Sequence, residues 1–393
     1  MSARNVEVAI VGMGCTRFGD HWNLSFDDLA VDASSQAVES TPRLSMSDID
    51  AFWIGTSKSA FSGLALSRPL GLDGQPVTRL ENMCATGSDA FRNAAFAVAS
   101  GAYDVAMAVG VEKLKDTDAA GLVIPSAPTD GTPVDLTAPA MYSFLVESYR
   151  HKYGVSSREF RDALTHIAAK NHANGARNSR AQFQRPVSKE TIEGAPTMAG
   201  MLGVFDCSGI SDGGAAAIVC RAEDAHKYTD HPVYLRGMAL VAGPGAGTND
   251  ADYDFTHFPE VSKAARIAYA QAGITDPATE VSLAEVHDCF TPTELVLMED
   301  LGFSARGEGW RDVLAGRYDH GGALPVNPDG GLKSFGHPVG ASGLRMMFEV
   351  WLQLRGEAGD RQVTDPRFGL THNLGGQPGE AVSFVSVFSN EPC

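Results

Sequence analysis

The chain is short of positive charge, has no paired cysteines and lacks any long uninterrupted apolar run. Its 393 residues carry 31 Lys and Arg against 48 Asp and Glu, a formal net charge of −17. A protein that neutralises nucleic-acid phosphates concentrates basic residues, so DNA and RNA are not expected partners. An anionic small molecule stays compatible if a few cations are gathered locally. The six cysteines, at 15, 84, 207, 220, 289 and 393, are too scattered to suggest a disulfide framework or a metal site. The opening MSARNVEVAIVGMG reads as a strand and turn, without the apolar core and cleavage site of a signal peptide. No apolar run reaches membrane-spanning length, which makes a reducing cytoplasm the expected setting.

Glycine, by contrast, is plentiful: 42 residues, many in pairs beside apolar runs. That pattern predicts many tight strand-to-helix turns, where glycine accepts positive φ cheaply. The length suggests two or three packed units rather than one ordinary core. Along the chain, 6–11 reads as a buried strand, 25–40 as a helix capped by Ser25, and 49–57 as a strand. A helix opens at or just after Cys84 and continues over 91–100, and 103–114 is another buried strand. This alternation is the mark of a layered α/β sheet. Residues 115–202 break the pattern and read as an inserted lobe with helices of its own, such as 160–172. A strand returns within 203–221. A second cycle follows: strand 233–243, helix 262–273 ended by Gly273, strand 281–290, helices 292–303 and 340–356, and a last strand 381–388. In both cycles a strand leads to a reactive side chain, then small residues, then a helix: Cys84-Ala-Thr-Gly87 and His337-Pro-Val-Gly340. The repetition suggests an internal duplication.

A lone buried cysteine is usually structural. Cys84, in ENMCATGSDA, is placed differently. It stands at a helix start, where unpaired N–H groups and the helix dipole favour a thiolate and a lowered pKa. A thiol nucleophile needs a proton acceptor, and His337, framed by glycines and Pro338, is the best-placed histidine. His287 and Cys289 in VHDCF end a presumed strand two residues apart, so both would face one cavity. Metal binding there is the weaker reading, because no third ligand is near in sequence. His372 and Asn373, before Gly375 and Gly376, read as a turn that could bring backbone N–H groups or His372 to the same place.

These four motifs, ENMCATGSDA, VHDCFTPTE, GGLKSFGHPVGASG and THNLGGQPGEA, resemble those of the thiolase superfamily. They are most similar to its sterol-carrier-protein-2-type branch, with the acetyl-CoA acetyltransferase-like proteins. The resemblance covers nearly the whole chain. It implies an α/β fold of five layers, αβαβα, built from two duplicated halves: 1–120 plus 203–231, and 232–393, with 121–202 as the inserted loop lobe. It implies acyl-CoA C-acyltransfer: Cys84 as nucleophile, His337 activating it, His287 in an oxyanion hole, and Cys289 as acid/base. Most thiolases carry that last cysteine in a Cys-x-Gly turn, which here is His372-Asn373-Leu374-Gly375-Gly376. Backbone N–H groups near Cys84, with that of Gly376, are candidates for a second oxyanion hole. Coenzyme A is expected as a substrate rather than a resident cofactor, and no metal is expected. Lys170, Arg177, Arg180 and Arg185 are the candidate patch for its phosphates, and 120–150 with the helix after HDCF the candidate acyl pocket. A homodimer or homotetramer is implied, and relatives that work with a small OB-fold (DUF35-like) protein make such a partner an alternative. So are retro-aldol cleavage on the same fold and a non-catalytic acyl-CoA-binding scaffold.

Overall fold

A computed structural model describes residues 7–116, 123–124 and 136–392. The nine strands of its main sheet are β1 Val8–Cys15, β2 Ala51–Gly55, β3 Val77–Leu80, β4 Val105–Lys113, β5 Asp212–Arg221, β6 Val233–Ala242, β7 Leu283–Glu285, β8 Gly369–Gln377 and β9 Glu380–Ser389. Helices of ten residues or more are α1 Phe26–Glu39, α2 Thr86–Ala99, α3 Ala138–Tyr153, α4 Ser157–Gly175, α5 Pro259–Ala272, α6 Thr291–Asp300 and α7 Ser342–Arg355.

The strand order is β7-β8-β9-β6-β1-β5-β4-β2-β3. β2 runs parallel to β3 and β4, and β7 parallel to β8; the other pairings are antiparallel. The sheet has two wings, joined where β1 meets β6 through Ala9–Tyr234 and Ile10–Val233. Helices α2 and α7 pack against each other between the wings, α1 covers the outside of the first wing, and α5 covers the outside of the second. The result is the expected α/β architecture of five layers.

Local sequence explains the pieces. Ser25 caps α1 through Asp28 in a reciprocal capping box. Gly273 ends α5 at φ 74°, in the left-handed region. β1 is buried along its whole length, as a strand covered on both faces must be. A Cβ on Gly14 would lie 2.2 Å from the Ala33 carbonyl oxygen, so only glycine lets α1 approach so closely.

Two expectations are corrected. The strand read over 281–290 stops at Glu285. Beyond it the Asn327 side chain takes the Val286 N–H at 2.8 Å, and the Asp288 carboxylate turns to the Leu332 N–H at 2.6 Å, so side-chain bonds replace the strand ladder. His372 and Asn373 lie inside β8, paired with Val385 and Phe384, rather than in a turn; the turn comes later, at Pro378-Gly379. Much of the inserted lobe's loop sequence, 117–122 and 125–135, lies outside the described residues. So does that part of the expected acyl pocket.

Candidate active site

Glycines bring the two halves together. A Cβ on Gly87, in the first turn of α2, would sit 2.7 Å from the Gly340 carbonyl oxygen. One on Gly340 would sit 2.7 Å from the Gly55 oxygen and 2.8 Å from the Val111 oxygen. Side chains at these places would wedge the loop that bears His337 away from the start of α2. The Gly340 N–H also donates to Glu112 at 3.0 Å, and the same carboxylate collects the backbone N–H groups of Ser57, Lys58 and Ser59. Behind the loop, Arg345 of α7 bridges Glu285 at 2.5 Å and Asp329 at 2.6 Å, with all three side chains fully buried. Breaking such a buried cluster by removing one partner typically costs about 3–5 kcal/mol, because the remaining charges lose their counterpart.

This packing places Cys84 Sγ 3.3 Å from His337 Nε2. The other ring nitrogen, Nδ1, lies 2.8 Å from Ser342 Oγ. That hydroxyl already donates to the Pro338 carbonyl at 3.0 Å, so it accepts from Nδ1–H. The network therefore assigns the ring proton to Nδ1 and leaves the Nε2 lone pair facing the thiol. Met83, just before the cysteine, has φ 51°, an uncommon value for a non-glycine residue, which turns the chain sharply into α2.

The expectation of a lowered Cys84 pKa is corrected. Burial, with Glu112 and Glu81 adding to it, pushes the thiol up to about 12. Burial, with Arg345 adding to it, pushes His337 down to about 3. The helix start does not outweigh the loss of water around a group that is only 9% exposed. At neutral pH the resting pair is thus a thiol and a neutral imidazole. Below its pKa a thiol's reactive thiolate fraction grows about tenfold per pH unit. Alkylation of Cys84 by iodoacetamide, followed by peptide mass spectrometry, is expected to climb in that way from pH 6 to 9. A plateau near neutrality would reveal a preformed thiolate–imidazolium pair instead.

The ring of His287 meets that of His337 edge to face, 5.3 Å between centroids. The ligand atoms of Cys84, His287 and His337 all lie within 4.8 Å of one another. Among the described residues this is the group whose donor atoms come close enough to share a metal ion, a juxtaposition that the sequence spacing did not suggest. Both nitrogens of fully buried His287 lack a hydrogen-bond partner, and burial holds its pKa well below the usual histidine range. Buried polar atoms ordinarily find partners, so an unpaired neutral imidazole beside the sulfur suits a developing oxyanion. Cys289 is 5% exposed, and its thiol is pushed well up by burial and by nearby Cys84. Although the strand does not reach that far, both members of the HDCF pair face the Cys84 region.

The remaining candidates divide. His372 is fully buried with both nitrogens unpaired; burial pushes it down to about 3, and it is close enough to act on His287. Asn373 accepts a hydrogen bond from Ser88 and donates to Met346 Sδ at 3.2 Å, so it ties α2 to α7 instead of facing substrate. Gly376 has φ 105°, and its neighbour Gly375 lies so close to the Cys84 turn that a Cβ there would be 2.5 Å from the Asn82 oxygen.

The cationic patch is corrected too. Lys170 is buried, bound to Glu294 at 2.9 Å and to the Val326 carbonyl at 2.7 Å. Arg180 turns inward to the Cys15 carbonyl and to Gln36, and stacks on Phe348. Arg177 and Arg185 are exposed. Of the four, Arg185 lines a cleft of about 830 Å³, together with Arg17, Lys333, Phe183, Ser208 and Gly209. The Ser208 N–H in that wall donates to the Cys289 carbonyl at 2.8 Å, so the cleft backs onto the reactive centre. Arg17, in the wall of the cleft, was missed by the sequence reading. It is remote in sequence from the lobe cations.

Comparison with known proteins shows the family to which the chain belongs. The family model "Thiolase, N-terminal domain" matches residues 8–223, and "Thiolase C-terminal domain-like" matches 248–389. An acetyl-CoA acetyltransferase of Methanothermobacter thermautotrophicus is 38% identical over 98% of this chain and 99% of its own. Human sterol carrier protein 2 is 31% identical over 94% of this chain and 70% of its own. The solved structure of an Ltp2-ChsH2(DUF35) aldolase covers all of both chains at 26% identity with a TM-score of 0.84. No helix among the described residues is long and apolar enough to cross a membrane. With two family models together spanning most of its length and full-length relatives above 30% identity, the chain belongs to the thiolase family and is an enzyme of the acyltransferase kind.

Proposed function

We propose that the protein is an acyl-CoA C-acyltransferase that forms or cleaves 3-ketoacyl-CoA through an acyl group carried on Cys84. The observation that carries this reading is the 3.3 Å contact of Cys84 Sγ with a His337 Nε2 whose lone pair is turned toward it by Ser342. The sulfur attacks a thioester carbonyl while its proton passes to Nε2. The leaving coenzyme A thiolate collects that proton and departs as a thiol. A second acyl-CoA then loses an α-proton to Cys289 acting as thiolate. Its enolate carbon bonds to the acyl carbon on Cys84, whose sulfur leaves as a thiolate and is reprotonated as Cys289 gives up the proton it took, which restores both sulfurs. His287 faces the enolate oxygen, and N–H groups at the Cys84 turn with that of Gly376 serve the acyl oxyanion. Loss of one such donor typically costs about 3 kcal/mol of barrier.

The coenzyme A arm fits the cleft that Arg17 and Arg185 line, since both are cations in an otherwise acidic chain. A homodimer or homotetramer is part of this reading. The similarity to an aldolase whose structure includes a DUF35 component favours testing a second reading, in which a small OB-fold partner is required or the bond cleaved is a retro-aldol one. Acetoacetyl-CoA thiolysis assayed with and without such a partner separates the two. A non-catalytic scaffold would have no use for the Cys84–His337 contact.

Cys84→Ala is expected to abolish the acyl-enzyme formed from acetyl-CoA, read by intact mass spectrometry. Cys289→Ala is expected to keep the acyl-enzyme and lose condensation. Acyl transfer at wild-type rate in the first variant overturns the reading, and equal loss of both steps in the second overturns the division of labour.

A further inference from the structure

Cys84, His287 and His337 come together from three places in the chain, and their donor atoms match a use that needs no substrate. A zinc ion takes sulfur at about 2.3 Å and imidazole nitrogen at about 2.0 Å, with tetrahedral angles. Those lengths set the donor atoms of a zinc site about 3.4–3.6 Å apart. Cys84 Sγ and His337 Nε2 already stand 3.3 Å apart, and the ligand atoms of all three residues lie within 4.8 Å of one another. A shift of His287 by about 1 Å brings the trio to zinc-ligand spacing.

Both imidazoles suit a ligand role. Neither nitrogen of His287 has a hydrogen-bond partner, although the side chain is fully buried, so the shift breaks no hydrogen bond. Its ring stands at 80° to that of His337, which lets the two approach one point from different directions. His337 is oriented from behind: Nδ1–H donates to Ser342 Oγ at 2.8 Å, and that hydroxyl donates on to the Pro338 carbonyl. Metal-binding histidines ordinarily have such an outer partner, which holds the free nitrogen toward the ion. The donor set decides which ion. One thiolate and two imidazoles suit zinc and its borderline-soft neighbours, and offer no oxygen to magnesium or calcium. Charge does not oppose a cation here. Glu112 and Glu81 act on the Cys84 sulfur, and Arg345, which acts on His337, is already matched by Glu285 and Asp329.

We propose that Cys84, His287 and His337 form a three-ligand site for Zn²⁺ and similar borderline-soft divalent cations, and that the bound ion reversibly shuts the enzyme. On binding, the thiol proton leaves to solvent and the sulfur electron pair goes to the ion; nothing is oxidised or reduced. Water fills the fourth position. The ion then holds the sulfur that would attack the thioester, the nitrogen that would take its proton and the imidazole that would face the enolate oxygen. Ion and acyl group exclude each other on one sulfur. This blocking rests on the reading of Cys84 as the acyl carrier.

The test titrates metal-free protein with Co²⁺, a spectroscopic stand-in for zinc. A thiolate-to-cobalt charge-transfer band in the near ultraviolet, with the strong visible bands of tetrahedral cobalt, is expected, and Zn²⁺ is expected to bleach both. Cys84→Ala is expected to abolish the charge-transfer band. His287→Gln is expected to weaken binding about 100-fold or more, since loss even of a ligand's outer partner typically costs about 10–100-fold. Cys207→Ala, which removes a half-buried thiol from the cleft, is expected to leave the band unchanged. Acylation of Cys84 by acetyl-CoA, read by intact mass spectrometry, is expected to stop when Zn²⁺ saturates the site and to return with EDTA. The inference alone is overturned by a band that survives Cys84→Ala or vanishes in Cys207→Ala, by binding unmoved in His287→Gln, or by acylation that proceeds with the site filled. If metal-free protein is not acylated at all, the acyl-enzyme reading fails and the blocking fails with it, while the cobalt spectra still decide whether the site exists.

Discussion

His337→Ala is expected to slow acylation of Cys84 by acetyl-CoA about 10³-fold, while the protein stays folded. A positioned general base typically contributes between about 10² and 10⁴ in rate. Here its contribution should not fall at the bottom of that range, because the thiol it serves is pushed up to about 12 and has almost no thiolate of its own at neutral pH. The surviving rate should rise with pH, as hydroxide replaces the missing imidazole. Folding should tolerate the change, since Ser342 Oγ keeps its bond to the Pro338 carbonyl. Rapid-quench mass spectrometry gives the acylation rate, and a thermal melt checks the fold. A rate near that of wild type would mean that another group takes the proton.

Gly340→Ala tests the packing that creates the contact. The added methyl would stand 2.7 Å from one backbone oxygen and 2.8 Å from another, neither at the end of a flexible side chain. The loop must therefore lift, and His337 lifts with it. Overpacking of this kind typically costs about 1–3 kcal/mol of stability. The larger effect should fall on acylation, because a displacement of about 1 Å at a reacting group can cost about 100-fold. Gly356→Ala is the control. It ends α7 at φ 73° with no atom near a Cβ, so it should strain the backbone and lower the melting temperature without touching the acylation rate. Equal acylation rates in the two variants would show that the glycine contacts serve stability alone.

Signals that act over a few residues were legible in the sequence. The Ser25 cap, the Gly273 stop, the buried strand after α2 and the alternation of strands and helices all depend on near neighbours, and each appears in the structure. The resemblance then joined Cys84 to His337 across 253 positions of chain. What sequence did not reveal depends on distant partners. β7 ends early because Asn327 takes its next N–H, and nothing within 281–290 announces that. His372 and Asn373 become strand because β9 pairs with them, although Gly375 and Gly376 look like turn residues. Lys170 and Arg180 read as surface cations until Glu294 and the Cys15 carbonyl receive them inside. The helix-start argument for a thiolate at Cys84 was sound as far as it went. It omitted desolvation and Glu112, which becomes a neighbour only when β4 is in place.

The most direct measurement is to quench the wild-type protein during turnover with acetyl-CoA, digest it and locate the acetyl group. A thioester on the Cys84 peptide, removed by neutral hydroxylamine and absent when coenzyme A is added in excess, is the expected result. Product formation with no acetyl group on Cys84, or with the group on another residue, would contradict the mechanism at its root.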